Sequence, residues 1–273
     1  MKNVAGKRVL VTGGARGIGL CTAEAFALAG SELVLTDIDE DALDKAETLL
    51  SGHGSPVHTR VVDVADSEQV YALARWVIEE LGGLDVLINN AGLGHHGELA
   101  DTTLETWKKL LSVNLMGPLN HISAFLPHFK QRRAGHIVNV SSGQAFFRLP
   151  TWGAYASVKA ALGVFSEILQ FELRKYGIRV TTVYPFMVDT GFYDDIEGET
   201  MVGRLAMKLV PYYSMSPERV GQIILKAVRK GTKVEMVSVL NDVANYVKLV
   251  PFANDVISST SNFFLASDAD RAA

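Results

Sequence analysis

Tyr155 and Lys159 are the pair in this 273-residue sequence whose types and spacing most directly allow chemistry. They lie in the segment 153–176, which is rich in helix-forming residues and has apolar side chains at helical spacing before Gly177. Residues four apart lie on one helix face, so a phenol and an ammonium can share one small volume. A nearby cation favours phenolate and brings the pKa of Tyr155 from about 10 toward neutral-pH proton exchange.

A serine that could take part in the same site precedes this helix in the sequence. Ser142 lies thirteen residues before Tyr155 and ends the apolar run HIVNVSS, which is typical of a buried strand entering a loop. Ser142, Tyr155 and Lys159 together resemble the catalytic set of the short-chain dehydrogenase/reductase family, in which the pattern YASVK follows a strand ending in serine. The family spacing selects Ser142 rather than Ser141. The resemblance implies that Tyr155 exchanges a proton with the substrate oxygen, that Ser142 holds this oxygen, and that Lys159 lowers the tyrosine pKa and binds the nicotinamide ribose.

The first element that must support such a site is a glycine-rich turn near the N-terminus. The run KRVLVTGGARGIG reads as a β-branched strand, a tight turn and the start of a helix. Gly13, Gly17 and Gly19 allow the backbone to turn and to approach a phosphate closely, while the helix N-terminus beginning near Ile18 offers amides to an anion. The turn predicts dinucleotide binding, and its TGxxxGxG spacing again resembles the short-chain family.

The end of the second strand bears on which dinucleotide binds. Asp37 ends the run ELVLTDID, where a carboxylate can accept hydrogen bonds from the adenosine ribose hydroxyls and would repel a 2′-phosphate. Arg16 gives the opposing signal, because its guanidinium could meet a 2′-phosphate; alternatively it packs along the turn or contacts the pyrophosphate. We weigh Asp37 more heavily and expect NAD, with NADP as the less favoured cofactor.

Two later strand ends complete the expected cofactor site. In the family, the residues at Asp63 and Val64 contact the adenine by hydrogen bonding and packing; the alternative is a strand end with a helix cap. The run NNAG follows the next strand and places Asn90, Ala91 and Gly92 where small residues allow close approach of the cofactor.

The second half of the chain supplies the nicotinamide end. Asn114 lies inside an otherwise apolar helix, predicted over 104–129, where a buried amide needs partners. Its role is either a structural hydrogen bond or, as the resemblance implies, holding a water beside the lysine in a proton relay. The resemblance further implies that Pro185, the backbone at Val188, and Thr190 contact the nicotinamide.

Aromatic residues surround the expected substrate position. Phe186 replaces the glycine that usually follows the family proline, which would narrow the pocket. The side chains between Ser142 and Tyr155 are largely apolar and indicate a lipophilic ligand, although apolar walls are ordinary for small-molecule pockets. No Cys or carboxylate cluster at ligand spacing accompanies the adjacent histidines of GLGHHGEL, so we expect no metal there and interpret them as pocket lining or a solvated loop. The predicted pocket residues are His95, Phe147, Trp152, Phe186 and Phe192.

Strands and helices alternate along most of the chain, with no repeat or linker. This pattern predicts one α/β domain over 1–240, a Rossmann-type doubly wound parallel sheet of about seven strands with helices on both faces. A loop over about 191–215 is expected to cover the substrate. The apolar extension 241–273 has three interpretations, as a lid, a dimer contact or a membrane-touching face, and its few basic residues rank membrane contact last.

Composition restricts the remaining possibilities. The net charge of −4 and pI near 6.0 give no basic footprint, so we expect no nucleic acid partner. The lone Cys21 excludes an internal disulfide and suits a reducing compartment. Since no apolar run approaches the roughly 18 residues that span a bilayer and no signal peptide is evident, we expect a cytoplasmic protein.

The sequence therefore predicts an oxidoreductase that transfers a hydride between NAD(H) and a secondary alcohol or ketone, steroid-like or otherwise lipophilic. The nearest alternative is a 3-oxoacyl thioester reductase using NADP(H). A non-catalytic dinucleotide-binding protein or a scaffold is the alternative outside enzymes. We also expect a homodimer or homotetramer formed through the helices at 104–129 and 153–176.

Overall fold

The computed structural model describes residues 1–146, 149, 151–186, 188 and 215–237 of the chain. Seven short strands form one sheet, and all are rich in the β-branched and aliphatic residues that favour extended backbone. The strands are β1 (Arg8–Thr12), β2 (Glu32–Asp37), β3 (Val57–Val61), β4 (Val86–Asn89), β5 (Gly135–Val140), β6 (Ile178–Tyr184) and β7 (Val234–Met236).

Helices connect the strands, and side-chain caps define several of their starts. Asp39, Asp66, Thr103 and Ser216 each accept a backbone N–H of the first turn that follows them, as N-cap residues do. The helices are α1 (Gly17–Leu28), α2 (Glu40–Ser51), α3 (Ser67–Glu79), α4 (Leu104–Leu111), α5 (Gly117–Arg132), α6 (Gly153–Leu173) and α7 (Pro217–Lys230).

Every strand pair in the sheet is parallel, in the spatial order β3-β2-β1-β4-β5-β6-β7. The order reverses between β1 and β4, because the first three strands are laid down in one direction and the last four in the other. Ligands of open α/β sheets bind at the carboxyl ends of the strands beside such a switch point. The prediction of a doubly wound parallel sheet of about seven strands is confirmed.

Both faces of the sheet are covered by packed apolar side chains, as parallel sheets require. On one face, Val9 and Ile88 pack with Phe26 of α1 and Ile224 of α7, all fully buried. On the other, Leu87 packs with Phe125 of α5 in a cluster that continues through α3 and α6. No helix in the described part of the chain is long and apolar enough to cross a bilayer.

The long helix predicted over 104–129 contains an interruption. Between α4 and α5, residues Ser112–Met116 form a π-helical turn, which widens the helix and redirects the side chains within it. Asn114 lies in this turn and is fully buried. The helix predicted over 153–176 is continuous, with a final 3₁₀ turn at Arg174–Tyr176 and a left-handed Gly177.

Candidate active site

The ammonium of Lys159 lies in the protein interior at the carboxyl end of β5. Its Nζ donates a hydrogen bond to the backbone oxygen of Val140 at 3.0 Å, and the residue is only 4% exposed. Ser141 Oγ donates to the backbone oxygen of Lys159 at 2.7 Å and ties the same helical turn to the strand. Burial disfavours the charged form and lowers the pKa of Lys159 from 10.5 to about 8.

Tyr155 lies one helical turn before Lys159 on the same side of α6. The Lys159 Nζ is 5.9 Å from the centroid of the Tyr155 ring, and both residues are buried. The predicted proximity of this phenol and this ammonium is therefore present in the fold. The Tyr155 ring also packs edge-on against Trp152, with ring centroids 5.9 Å apart.

Two adjacent serines follow β5, and their hydroxyls have different partners. Ser141 Oγ bonds to α6, as described above, whereas Ser142 Oγ accepts the backbone N–H of Gln144 at 3.2 Å. Because this bond uses a lone pair, the Ser142 hydroxyl can still donate its hydrogen to a ligand oxygen. The N–H of Gly143 donates to the carbonyl of Pro185 at 2.6 Å, which joins the serine loop to the end of β6.

Asn114 connects the π-helical turn to the loop after β4. Its side chain accepts the N–H of Leu93 at 3.0 Å and donates to the carbonyl of Leu93 at 2.9 Å, so the amide has the structural partners that its burial requires. A Cβ placed on Gly92 would lie 2.7 Å from Asn114 Oδ1 and 3.2 Å from Lys159 Nζ. Gly92, Asn114 and Lys159 therefore converge on one small volume.

The glycine-rich turn forms the opposite part of the site, at the carboxyl end of β1. Gly13 has a φ of 60°, and a Cβ on Gly19 would overlap the carbonyl oxygen of Gly13, so glycine is needed at both positions. Asn90 Nδ2 donates to the carbonyls of Thr12 and Gly13 at 3.1 and 3.0 Å and fixes the turn. A Cβ on Gly13 would also approach Ala91 to 2.9 Å, which places the turn directly beside the NNAG segment.

Asp37 ends β2 beside the same turn. Its carboxylate accepts backbone N–H groups from Ile38 at 2.9 Å and Ala15 at 3.3 Å, and the residue is buried. Arg16 lies at the surface: its guanidinium is 3.4 Å from a carboxylate oxygen of Asp39, and 68% of its side chain is exposed. The carboxylate of Asp37 is thus buried against the glycine-rich turn, whereas the guanidinium of Arg16 is solvated and paired with Asp39.

In the segment after β3, Asp63 and Val64 both make contacts within the protein. Asp63 accepts the N–H of Ala65 at 2.8 Å, but the N-cap of α3 is Asp66. The side chain of Val64 packs against Gly117, where a Cβ would approach Val64 Cγ2 to 2.8 Å.

The two histidines after β4 have different surroundings. His95 Nε2 lies 3.2 Å from Thr102 Oγ1, within its own loop. His96 Nε2 lies 2.8 Å from Thr151 Oγ1, and its ring packs edge-on against Trp152 at 5.4 Å. The sequence predicts His95 as a pocket residue, and this stays a prediction. His96 is the histidine that contacts another predicted pocket residue, Trp152. Within the described residues, no three His, Cys, Asp or Glu side chains could hold a metal ion.

Three predicted residues, Phe147, Thr190 and Phe192, lie outside the described residues, as do most of the loop 191–215 and the extension 241–273. Val188 is buried and forms an isolated parallel bridge with Met215. Phe186 is partly buried.

A cavity of about 690 Å³ lies beside the first turns of α6. Its lining includes Gly153, Ser157 and Ala160, on the side of the helix away from Tyr155, and also Gln144 of the serine loop. The cavity therefore adjoins the loop that carries Ser142 but opens onto another face of α6.

Known proteins resemble this chain in sequence. A family model described as short chain dehydrogenase matches residues 7–200. The chain is 38% identical over 240 residues to Probable oxidoreductase EphD of Mycobacterium tuberculosis, a match covering 84% of this chain but 40% of that protein, so the chain spans less than half of this relative. It is 36% identical over 215 residues to Estradiol 17-beta-dehydrogenase 11 of Homo sapiens, covering 75% of this chain and 72% of that protein.

Solved structures resemble the fold along most of its length. A short chain dehydrogenase/reductase from Burkholderia phymatum in complex with NAD superposes with a TM-score of 0.82 at 27% identity and covers 90% of this chain and 94% of its own. A metagenomic short-chain oxidoreductase in complex with NADP superposes with a TM-score of 0.71 at 26% identity, covering 85% and 96%. Neighbours of this fold thus include complexes with either dinucleotide.

Proposed function

Because the chain belongs to the short-chain dehydrogenase family, we propose that it is an oxidoreductase that transfers a hydride between NAD(H) and a secondary alcohol or ketone. The observation that carries this proposal is the arrangement of Tyr155 and Lys159 on one side of α6, with the buried ammonium 5.9 Å from the phenol ring. Burying a cation costs desolvation free energy, and a cation beside a phenol has a clear use in proton exchange.

The residues present fit a dinucleotide. The turn from Gly13 to Gly19 cannot hold larger side chains at its two end positions, and the first-turn amides of α1 at Gly17, Ile18 and Gly19 have no acceptor within the helix. At the other end of the site, Gly92 lies so close to Asn114 and Lys159 that a Cβ there would meet both side chains. When bound, the dinucleotide would supply or accept the hydride.

NAD is the cofactor that the local charges favour. The Asp37 carboxylate accepts the N–H of Ala15 and so lies against the glycine-rich turn. There its charge would repel a 2′-phosphate, while its oxygens would accept hydrogen bonds from ribose hydroxyls. Arg16 is the cation within this turn, and it is paired with Asp39. Asp63 and Val64 would border the adenine, and Pro185, Val188 and Thr190 the nicotinamide.

The chain's own residues would manage the proton. The Tyr155 hydroxyl would give a proton to a substrate carbonyl oxygen, or take one from a substrate hydroxyl, while the Ser142 hydroxyl donates a hydrogen bond to the same oxygen. Lys159 would stabilise the phenolate through its charge and bind the nicotinamide ribose. Asn114 holds the loop that carries Gly92 and Leu93 through its two bonds to the backbone of Leu93. A water beside Lys159 would complete the relay to solvent.

A lipophilic substrate agrees with the surroundings of Tyr155. Its ring belongs to an apolar cluster with buried Trp152, Leu110 and Val158, against which Leu93, Trp107, Leu115 and Leu149 also pack. The name of the human relative, estradiol 17-beta-dehydrogenase, points to a secondary alcohol on a sterol skeleton. Such a substrate would bring its reacting oxygen to Ser142 and Tyr155 and bury its apolar body against aromatic side chains, including Phe186.

A second copy of the chain is the partner that the surface favours. Val164, Ile168 and Phe171 form a stripe on α6 at helical spacing and are 60%, 54% and 70% exposed. Large apolar side chains in a continuous stripe usually mark an interaction surface. We propose that α6 packs against its symmetry mate in a homodimer, and that this surface could be repeated in a tetramer.

The proposal is tested by titrating the purified protein with NADH and NADPH while following cofactor fluorescence. The reduced form of the tighter cofactor is then assayed with acyl thioesters and ketones, and its oxidised form with sterol alcohols. NADH binding together with reduction of a sterol ketone by NADH, or oxidation of a sterol alcohol by NAD+, would support each part. Turnover only of acyl thioesters with NADPH would replace the proposal by the reductase alternative. Failure to bind either cofactor would reject it.

A further inference from the structure

Thr151 has an unusual backbone. It directly precedes Trp152, the N-cap residue of α6. Its φ is 65°, in the left-handed region that β-branched residues rarely adopt. Among the described residues, Arg133 at the end of α5 is the other non-glycine residue with positive φ. Strained backbone of this kind persists only where surrounding contacts hold it, and such contacts are common at functional sites.

The loop after β4 supplies those contacts. The carbonyl of Thr151 accepts the N–H of Gly97 at 2.7 Å, and Thr151 Oγ1 lies 2.8 Å from Nε2 of His96. Two adjacent loop residues therefore hold both the backbone and the side chain of one strained residue. Gly153, the first residue of α6, also packs closely against this loop, because a Cβ added to it would lie 2.7 Å from Cγ of Leu99.

Aromatic rings carry the contact inward to the phenol. The His96 ring packs against Trp152 with centroids 5.4 Å apart and an interplanar angle of 71°, and Trp152 packs against Tyr155 at 5.9 Å and 67°. Both geometries are the edge-to-face arrangement that aromatic pairs prefer. Trp152 is the N-cap residue of α6, and its backbone oxygen accepts the N–H of Ala156 at 2.9 Å, so the packing of its ring bears directly on the first turn.

We propose that His96, Thr151 and Trp152 are positioning residues that clamp the first turn of α6 and so fix the ring of Tyr155 relative to Lys159. Lys159 is held independently, by Val140 and by the Ser141 bond to its own backbone. The distance between phenol and ammonium therefore depends on the first turn of the helix, which the clamp secures. This inference rests on the proposed role of Tyr155.

Thr151→Gly tests the clamp. Glycine adopts the left-handed backbone without strain and keeps the bond from Gly97, so the protein should melt at the same or a higher temperature. Loss of the Oγ1 bond to His96 should nevertheless lower kcat by about ten- to a hundredfold, because small displacements of reacting groups are costly. His96→Ala should act in the same direction, Thr151→Ser should retain most activity, and cofactor affinity should be unchanged in all three.

Arg133→Gly provides the matched control. It also replaces a left-handed residue by glycine, but at the far end of a different helix, where its guanidinium bonds to the carbonyl of Lys175. Its kcat should remain that of the wild type.

A second readout needs no substrate. Phenol ionisation of Tyr155 can be followed as the ultraviolet difference between each protein and the same protein carrying Tyr155→Phe. Since a loosened ring spends less time beside the Lys159 cation, the pKa of Tyr155 should be higher in Thr151→Gly and in His96→Ala than in the wild type. If wild type turns over no substrate, the proposed function fails while this titration still tests the clamp. Unchanged Tyr155 ionisation in both variants would overturn it.

Discussion

Lys159 donates a hydrogen bond to the carbonyl oxygen of Val140, 3.0 Å away, in an environment where only 4% of the lysine is exposed. One neutral acceptor does not replace the hydration that an ammonium loses on burial. The lowered pKa of Lys159, about 8 instead of 10.5, reflects this desolvation. The fold therefore carries an energetic cost at this residue that its proposed chemistry would explain.

Replacing Lys159 by methionine should separate stability from activity. Methionine fills a similar volume without charge, so the free energy of unfolding at pH 7 should rise by about 1–3 kcal/mol. Turnover should fall by more than a hundredfold, because the phenolate of Tyr155 loses its neighbouring cation. Urea unfolding and steady-state rates measure the two effects. A variant that is both less stable and fully active would contradict this account of the site.

Replacing Asp37 by asparagine should weaken the preference for NADH. In the wild type Ile38 N–H donates to Oδ1 and Ala15 N–H donates to Oδ2, so the single amide oxygen can keep only one of these bonds. The substitution also removes the charge that would repel a 2′-phosphate. We expect the ratio of NADPH to NADH dissociation constants to fall by about tenfold, a change of roughly 1.4 kcal/mol. Asp44→Asn, on the exposed side of α2, is the control and should leave the ratio unchanged. An identical ratio in all three proteins would show that Asp37 does not select the cofactor.

Two buried histidines should make the fold sensitive to acid. Burial lowers the pKa of His121 to about 4 and that of His136 to about 3. Since unfolded histidine titrates near 6.5, the unfolded chain binds more protons than the native one between these values, and stability should fall as pH drops below 6.5. The slope is up to about 1.4 kcal/mol per pH unit for each residue.

Denaturant unfolding between about pH 4.5 and 7.5 measures this slope. His121→Leu should make it shallower, because leucine removes one of the groups that take up a proton on unfolding. A slope as steep as that of the wild type would remove His121 from the explanation.

Replacing Phe171 by aspartate should disrupt the proposed dimer. The side chain is 70% exposed on the α6 stripe, so a charge there costs the monomer little but would be buried between two copies. Light scattering should show the variant at half the wild-type mass. Leu28→Asp, at an equally exposed position at the end of α1, should keep the wild-type mass. A monomeric wild type, or a Phe171→Asp dimer, would contradict the proposed interface.

The sequence was sufficient for the parts of the fold that depend on local pattern. Apolar periodicity and turn glycines gave the parallel sheet, and the four-residue spacing of Tyr155 and Lys159 correctly placed them on one side of α6. The choice of Ser142 over Ser141 stays a prediction; Ser141 Oγ donates to the backbone oxygen of Lys159.

Other features depend on contacts between distant segments, which a local pattern does not encode. The π-helical turn around Asn114 is fixed by bonds to Leu93, twenty-one residues earlier. The contact of His96 with Thr151 joins residues fifty-five positions apart, and no propensity predicts the left-handed backbone of Thr151. Both surprises lie next to the candidate site, where tertiary contacts override local preference.

Tyr155→Phe tests the central claim most directly, with turnover and NADH affinity measured on the same preparation. Phenylalanine keeps the ring beside Trp152 and Lys159 and removes only the hydroxyl. The proposal predicts loss of nearly all turnover with an NADH dissociation constant within about threefold of the wild type, since the ring is retained and only one polar contact is lost. Substantial turnover in this variant would show that another group exchanges the proton with the substrate.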